Sequence, residues 1–178
     1  MEHHLIKVLT SDGSWERLAE QWGRQCADYG EDFDGYALDA IPVLRDLAVD
    51  DRSDAGVFGL LREDGTFDAV CQANSTHLPG YTGKVLRVRH LLLSPYFDFG
   101  EYPIEDYVKV LARMFARTVG LAKSDLRSEH VKFHLRSPAD RQFFEATIEV
   151  FENATEFDGV AIRGSWLYLT LNQAADVA

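Results

Sequence analysis

The chain changes its apolar period several times, and each change marks an element. LIKVLT, residues 5 to 10, mixes apolar and polar positions at short spacing and predicts a strand. The turn SDGS leads into Trp15, Leu18, Ala19, Trp22 and Cys26, whose helical spacing predicts a helix from Trp15 to about Tyr29 with Ser14 as N-cap. GEDFDG reads as an exposed acidic loop, and Leu38 to about Val49 as a second helix burying Ile41, Leu44, Leu47 and Ala48. From Ala55 the period falls to two. AGVFGLLRE and TFDAVCQANSTH flank Asp64-Gly65, a strong hairpin signal. KVLRVRHLLLSP then alternates as far as Arg89 and runs apolar through Leu91 to Leu93, which predicts a strand with one wet face at its start and both faces buried at its end.

Residues 104 to 123 return to helical spacing, with Val108, Leu111, Ala112, Phe115 and Val119 on one face and a basic stripe of Lys109, Arg113 and Arg117 on another. HVKFHL predicts a strand, SPADRQFFEATIEVFEN a helix capped by Ser137 with Pro138 at its first position, and GVAIRGSWLYLTL one or two closing strands. The order β-α-α-β-β-β-α-β-α-β(β) predicts an α/β fold, a mixed sheet of six to seven strands flanked by about four helices. With 178 residues, one domain over 1–178 is the expectation.

Composition narrows the class of protein. No apolar run approaches the ~18 residues that span a membrane, and MEHHLIKVLT has neither the basic nor the long apolar segment of a signal peptide, so a cytoplasmic protein is expected. Cys26 and Cys71 are too few and too far apart for a disulfide framework. A net charge of −11 argues against nucleic acid and anionic membrane as partners. The charge is uneven, however: residues 84 to 141 hold 11 Lys/Arg against 7 Asp/Glu, which makes the middle the place for an anionic small ligand. His130 and His134 share a strand face about 13 Å apart, too far to hold one metal ion, and His3 and His4 are expected to be mobile at the terminus, so no metal site is expected.

The element order, with LLLSP ending a strand before a long helix, resembles the GNAT superfamily of acyl-CoA-dependent N-acyltransferases. The resemblance spans roughly Leu5 to Leu171 and implies acetyl-CoA or another acyl-CoA as co-substrate, with the amine of a small molecule or peptide as acceptor. In that family acyl-CoA lies in a wedge where strand four parts from strand five, and its pantetheine arm pairs with the strand-four backbone, which here includes Leu91, Leu92 and Leu93. The diphosphate sits on a loop of pattern Arg/Gln-x-x-Gly-x-Gly/Ala at the next helix. That pattern lets backbone N–H groups and the helix dipole face the phosphates. This chain reads PYFDFGEYPIEDY there, with Phe99 and the single Gly100, with no arginine, and with Glu101, Glu105 and Asp106 where phosphates would lie. Phosphate binding is then either remodelled, onto Lys109 or Arg113 and the segment near Arg136 and Arg141, or lost.

Thioester aminolysis needs a base for the ammonium proton and an acid for the leaving thiolate. His90, within strand four, and His77, at the end of strand three, are the candidate bases. The resemblance implies a Tyr on the helix after strand five, but SPADRQFFEAT puts Phe143 or Phe144 there. Tyr96, Tyr102 or Tyr107 could substitute, with Tyr102 as the candidate acid. The acidic loops at 31–34 and 50–54 could attract a cationic acceptor. Two other readings stay open: a non-catalytic GNAT-like binding protein with its wedge filled by Phe97 and Phe99, and an enzyme like the acyl-homoserine-lactone synthases, of whose N-terminal Arg, Trp and paired-Asp pattern this chain has only EDFDGY; a homodimer is an open option.

Overall fold

Strand pairing orders the molecule. The computed structural model describes residues 3–100 and 102–173. Seven strands, β1 (His3–Val8), β2 (Ala55–Arg62), β3 (Phe67–His77), β4 (Lys84–Leu93), β5 (His130–His134), β6 (Phe157–Arg163) and β7 (Trp166–Leu171), form one sheet in the order β1-β2-β3-β4-β5-β7-β6. Every neighbouring pair is antiparallel except β4 and β5. Helices α1 (Ser14–Asp28) and α2 (Ile41–Leu47) pack on one face, and α4 (Ile104–Lys123) and α5 (Pro138–Glu152) on the other. The α/β class and strand count are as expected; a fifth helix, α3 (Pro95–Phe99), is additional.

Two cores result. Trp15, Leu18 and Trp22 of α1 and Ile41 and Leu44 of α2 bury against Val8, Val57, Phe67, Val70 and Leu92. The Trp22 indole N–H donates to the Phe67 carbonyl at 3.0 Å, so the buried ring keeps its polar end satisfied. On the other face Leu111, Met114 and Phe115 of α4 and Phe144 of α5 pack on Leu86, Val88, Leu91, Leu93, Val131 and Phe133. Phe115, Phe133 and Phe144 contact one another with ring centroids 5.2 to 5.9 Å apart, a range in which tilted aromatic pairs attract.

Some ends differ from the pattern reading. Ser14 is the first helical residue of α1, not its cap: its hydroxyl bridges the backbone N–H and carbonyl of Leu9, pinning the helix to the end of β1. The α2 helix is shorter than the apolar pattern, starting at Ile41. His3 is not mobile but 4% exposed, with Nε2 2.8 Å from Asp68. Ser137 caps α5 as expected, in a full capping box with Asp140.

Candidate functional site

The parting of two strands creates the site. The β4–β5 ladder runs from Val85↔His130 to Val88↔Phe133 and stops, leaving Arg89 to Leu93 without a partner on the β5 side. A bulge lies at the point of separation. Gln72 opposes Arg89 and Val70 opposes Leu92, so Cys71 faces two residues, and the extra one is His90, with φ +47°. This left-handed conformation is uncommon outside glycine but tolerated by histidine. The extra residue also resets the alternation: Leu86 and Val88 face α4 before it, Leu91 and Leu93 after it, and Leu92 turns to α1.

Between the parted strands lies a cavity of about 340 Å³. Leu91, Leu92 and Leu93 form its floor, Tyr36 and Asp98 one wall, and Tyr107, Arg136, Ser137 and Asp140 the other. The Tyr36 hydroxyl lies 2.8 Å from the Leu93 carbonyl and 2.6 Å from the Asp98 carboxylate. Crowding by protein raises the Asp98 pKa above the ordinary carboxylate value, although the residue keeps contact with solvent. Tyr107 donates to Asp140 Oδ1 at 2.9 Å, and burial, then the Asp140 charge, raises its pKa, so the phenol holds its proton. Asp140 Oδ2 accepts from the backbone N–H of Ser137 at 2.8 Å and of Arg136 at 3.1 Å.

A second cavity, of about 300 Å³, shares Arg136 as a wall and is completed by Asp39, Arg89, His90, His134 and Trp166. It opens on the α1 and α2 face of the sheet, since Arg89 is in register with Gln72 and thence Val57, and His134 with Trp166. Arg136 reaches across to Asp39 at 2.7 Å. Burial lowers the pKa of both His90 and His134; for each, Arg89 and Arg136 add to the effect, so both imidazoles are neutral near pH 7.

His90 and Leu91 to Leu93 are thus brought together. His77 is not: it pairs with Lys84 at the far end of β4, six residues and roughly 20 Å from His90. Tyr102 is exposed, stands over Phe97 and Tyr96, and lines a different cavity with Arg62 and Lys109. Arg113 lines that other cavity too, while Lys109 pairs with Asp106 at 2.8 Å. Arg141 holds Glu145 at 2.6 Å and the Gly164 carbonyl at 3.2 Å. Of the four cations considered for phosphates, Arg136 alone lines the wedge.

The loop itself has become α3. Phe99 packs on Tyr29 and Tyr36 at 5.8 and 5.7 Å, and Gly100 is extended at φ −83°. Gly100 is there because a Cβ would collide with the Tyr96 carbonyl oxygen, not to admit a ligand. Glu105 and Asp106 occupy the first turn of α4, and Glu101 lies outside the described residues. The acidic loops make pairs of their own, Asp34 with Arg45, Asp51 with Lys7 and Asp54 with Arg52. Sequence reasoning missed His134 and Trp166 as site residues and Tyr36 and Asp140 as wedge walls; the one available signal was the Ser137-Pro138 cap, which fixes where α5 begins. Cys26 and Cys71 are free and fully buried, and burial pushes the Cys71 thiol to about 12, so neither supplies a thiolate.

No protein-family model and no curated protein sequence matches this chain. Among solved structures it is similar to an N-acetyltransferase from Staphylococcus aureus Mu50, with a TM-score of 0.54 and 12% identity over 96% of this chain and 98% of that one. It is also similar to a probable acetyltransferase from Staphylococcus epidermidis ATCC 12228, with a TM-score of 0.51 and 14% identity over 96% and 97%. Among the described residues no helix is long and apolar enough to cross a membrane. The sheet order, the parted strands and these likenesses agree on architecture: the chain has a GNAT-like fold.

Proposed function

We propose that the protein is an acyl-CoA-dependent N-acyltransferase acting on the amine of a small molecule or peptide. One observation carries this reading: β4 leaves β5 at the His90 bulge, and a cavity opens on either side of the residue where they part. Acyl-CoA would supply an activated thioester carbonyl. The wedge fits its acyl-pantetheine arm, since the edge from Arg89 to Leu92 has no β5 partner and the floor is leucine, with the Leu93 carbonyl taken by the Tyr36 hydroxyl. The loop does not fit a diphosphate, because α3 and its aromatic cluster fill it, so the nucleotide end gains little from this chain.

Neutral His90 takes the ammonium proton of the acceptor, directly or through one water, and leaves the amine lone pair free to attack. Tyr107 lines the wedge but keeps its single hydroxyl proton on Asp140, so the departing sulfur takes its proton through water, in the role that Phe143 and Phe144 cannot fill. His77 and Tyr102 take no part in this scheme.

Calorimetry with acetyl-CoA, a longer acyl-CoA and S-acetyl-pantetheine tests the binding half. The expected result is measurable binding with acetyl-CoA and S-acetyl-pantetheine within about tenfold of each other, a gap of about 1.4 kcal/mol. No binding of either at millimolar ligand removes the enzyme reading and leaves a non-catalytic binding protein, which the filled phosphate loop favours. For the chemical half, His90→Gly suits the bulge conformation and should keep the fold while lowering kcat by roughly 10² or more; an unchanged kcat would exclude His90 as the base.

A further inference from the structure

The face of the sheet beside the second cavity carries a cluster of cations without carboxylate partners among the described residues. With 29 Asp/Glu against 18 Lys/Arg, carboxylates are in surplus, and Arg45, Arg52, Arg62 and Arg141 each hold one. Arg87, Arg89 and Lys132, which project from the same face of β4 and β5, have no carboxylate partner among the described residues. They lie instead against aromatic rings or protein. Arg89 stands over Trp166 at 5.6 Å, Lys132 over Trp166 at 4.8 Å and over Tyr168 at 4.7 Å, and the Arg87 Nε is buried without a hydrogen-bond partner. A half-buried guanidinium without an anion is costly, and ring stacking returns only part of that cost.

The one carboxylate at the cavity, Asp39, is already held by Arg136. An incoming ammonium therefore meets no free counter-charge, while an incoming oxyanion meets Arg89, with Lys132 on the same indole. His90 and His134 stand at the same cavity as neutral imidazoles. This arrangement reverses what the acidic loops at 31–34 and 50–54 suggest, since none of their carboxylates lines the cavity and Asp34, Asp51 and Asp54 are held in ion pairs of their own.

We infer that the acceptor is an amine that also carries an oxyanion, a carboxylate or a phosphate, seated at Arg89 and Lys132 beside Trp166 with its amine at His90. This rests on the acyltransfer reading above. In the reaction the ammonium gives one proton to His90 and frees its lone pair, the amine nitrogen attacks the thioester carbonyl and forms the C–N bond, the C–S bond breaks, and the second nitrogen proton passes through water to the sulfur, which leaves as the thiol; the oxyanion stays unchanged and serves only to hold and orient. A cationic polyamine is disfavoured by the same charges.

The test compares four amines of similar length with acetyl-CoA: γ-aminobutyrate, 3-aminopropyl phosphate, butylamine and 1,4-diaminobutane. The two oxyanion amines should exceed the other two in kcat/KM by about tenfold or more, and the better of the pair tells carboxylate from phosphate. Arg89→Ala should erase the difference by raising KM with kcat within about twofold, Arg89→Lys should restore part of it, and Arg17→Ala, on exposed α1, should change nothing. Equal use of butylamine or a preference for diaminobutane overturns the inference while acyl transfer stands. Independently of acyl-CoA, inorganic phosphate or acetate should move the Trp166 indole resonance in 15N–1H spectra of the wild type, but not of Arg89→Ala, and should leave those of buried Trp15 and Trp22 in place. An unmoved Trp166 overturns the anion seat; a moved Trp166 in a protein that binds no acetyl-CoA would retire acyl transfer and keep the anion seat.

Discussion

Replacing Asp140 with alanine removes an acceptor on which three donors converge. Asp140 is 5% exposed, and its oxygens take the N–H groups of Ser137 and Arg136 and the Tyr107 hydroxyl at 2.8, 3.1 and 2.9 Å. A hydrogen bond to a charged group contributes about 1.5 to 3 kcal/mol, and a donor stranded in the interior costs about as much. The adjoining cavity lets water reach part of this cluster, so about 1 kcal/mol per lost bond is the better figure, about 3 kcal/mol in all. For a domain of this size that lowers Tm by roughly 6 to 12 °C. Ser137→Ala removes the reciprocal bond to the Asp140 N–H, 3.0 Å, and the Ser137 hydroxyl's bond with Tyr107, and should cost about 1 kcal/mol, while Asp140→Asn, which keeps one acceptor oxygen, should fall between the two. Urea unfolding followed by far-UV circular dichroism gives all three values. An Asp140→Ala protein within about 0.5 kcal/mol of wild type, or one more stable than Ser137→Ala, would refute the view that Asp140 ties α5 to α4.

Stability should also depend on pH through His90 and His134. Their folded pKa values lie below the ordinary 6.5, so the unfolded chain binds protons that the folded one does not; their contribution is complete above pH 6.5 and is lost as pH falls below it, which urea midpoints between pH 8 and pH 5 will show, with a shallower slope in His90→Gln and His134→Gln. Gly100→Ala should destabilise by about 1 to 3 kcal/mol, because the clash is with the Tyr96 backbone carbonyl, and thermal unfolding checks it; a neutral result would show that α3 can shift freely.

The elements were legible in the sequence because each announces itself locally. Phe115 and Val119 mark a helix face, Asp64-Gly65 a hairpin, and Ser137-Pro138 a helix start, and all three appear where the pattern places them. LLL at 91 to 93 was legible as a stretch buried on both faces, but its cause was not. Arg89, His90 and Leu91 look like a strand losing its alternation, whereas one inserted residue, His90, shifts the register, and a bulge depends on the partner strand's spacing, which period alone does not contain. The second cavity was illegible for a different reason: Asp39, Arg89, His134 and Trp166 come from four separate segments and meet only through the sheet order that sets β7 beside β5. The α3 helix, which begins on Pro95, was hidden by its single turn of aromatic and acidic residues, which read as a loop.

Arg136, bridged to Asp39, lines both cavities, the one floored by Leu91 to Leu93 and the one beside His90 and Trp166. For the acyltransferase proposed above this would be, in kinetic language, a two-door chamber: donor and acceptor would take separate cavities, and neither would have to leave before the other arrives. With both thiols sealed in the cores, no side-chain sulfur stands ready to carry the acyl group between visits. Initial-rate plots for such an enzyme should intersect, as they do when both substrates are held at once, and parallel lines would mean that the two doors open onto a single seat.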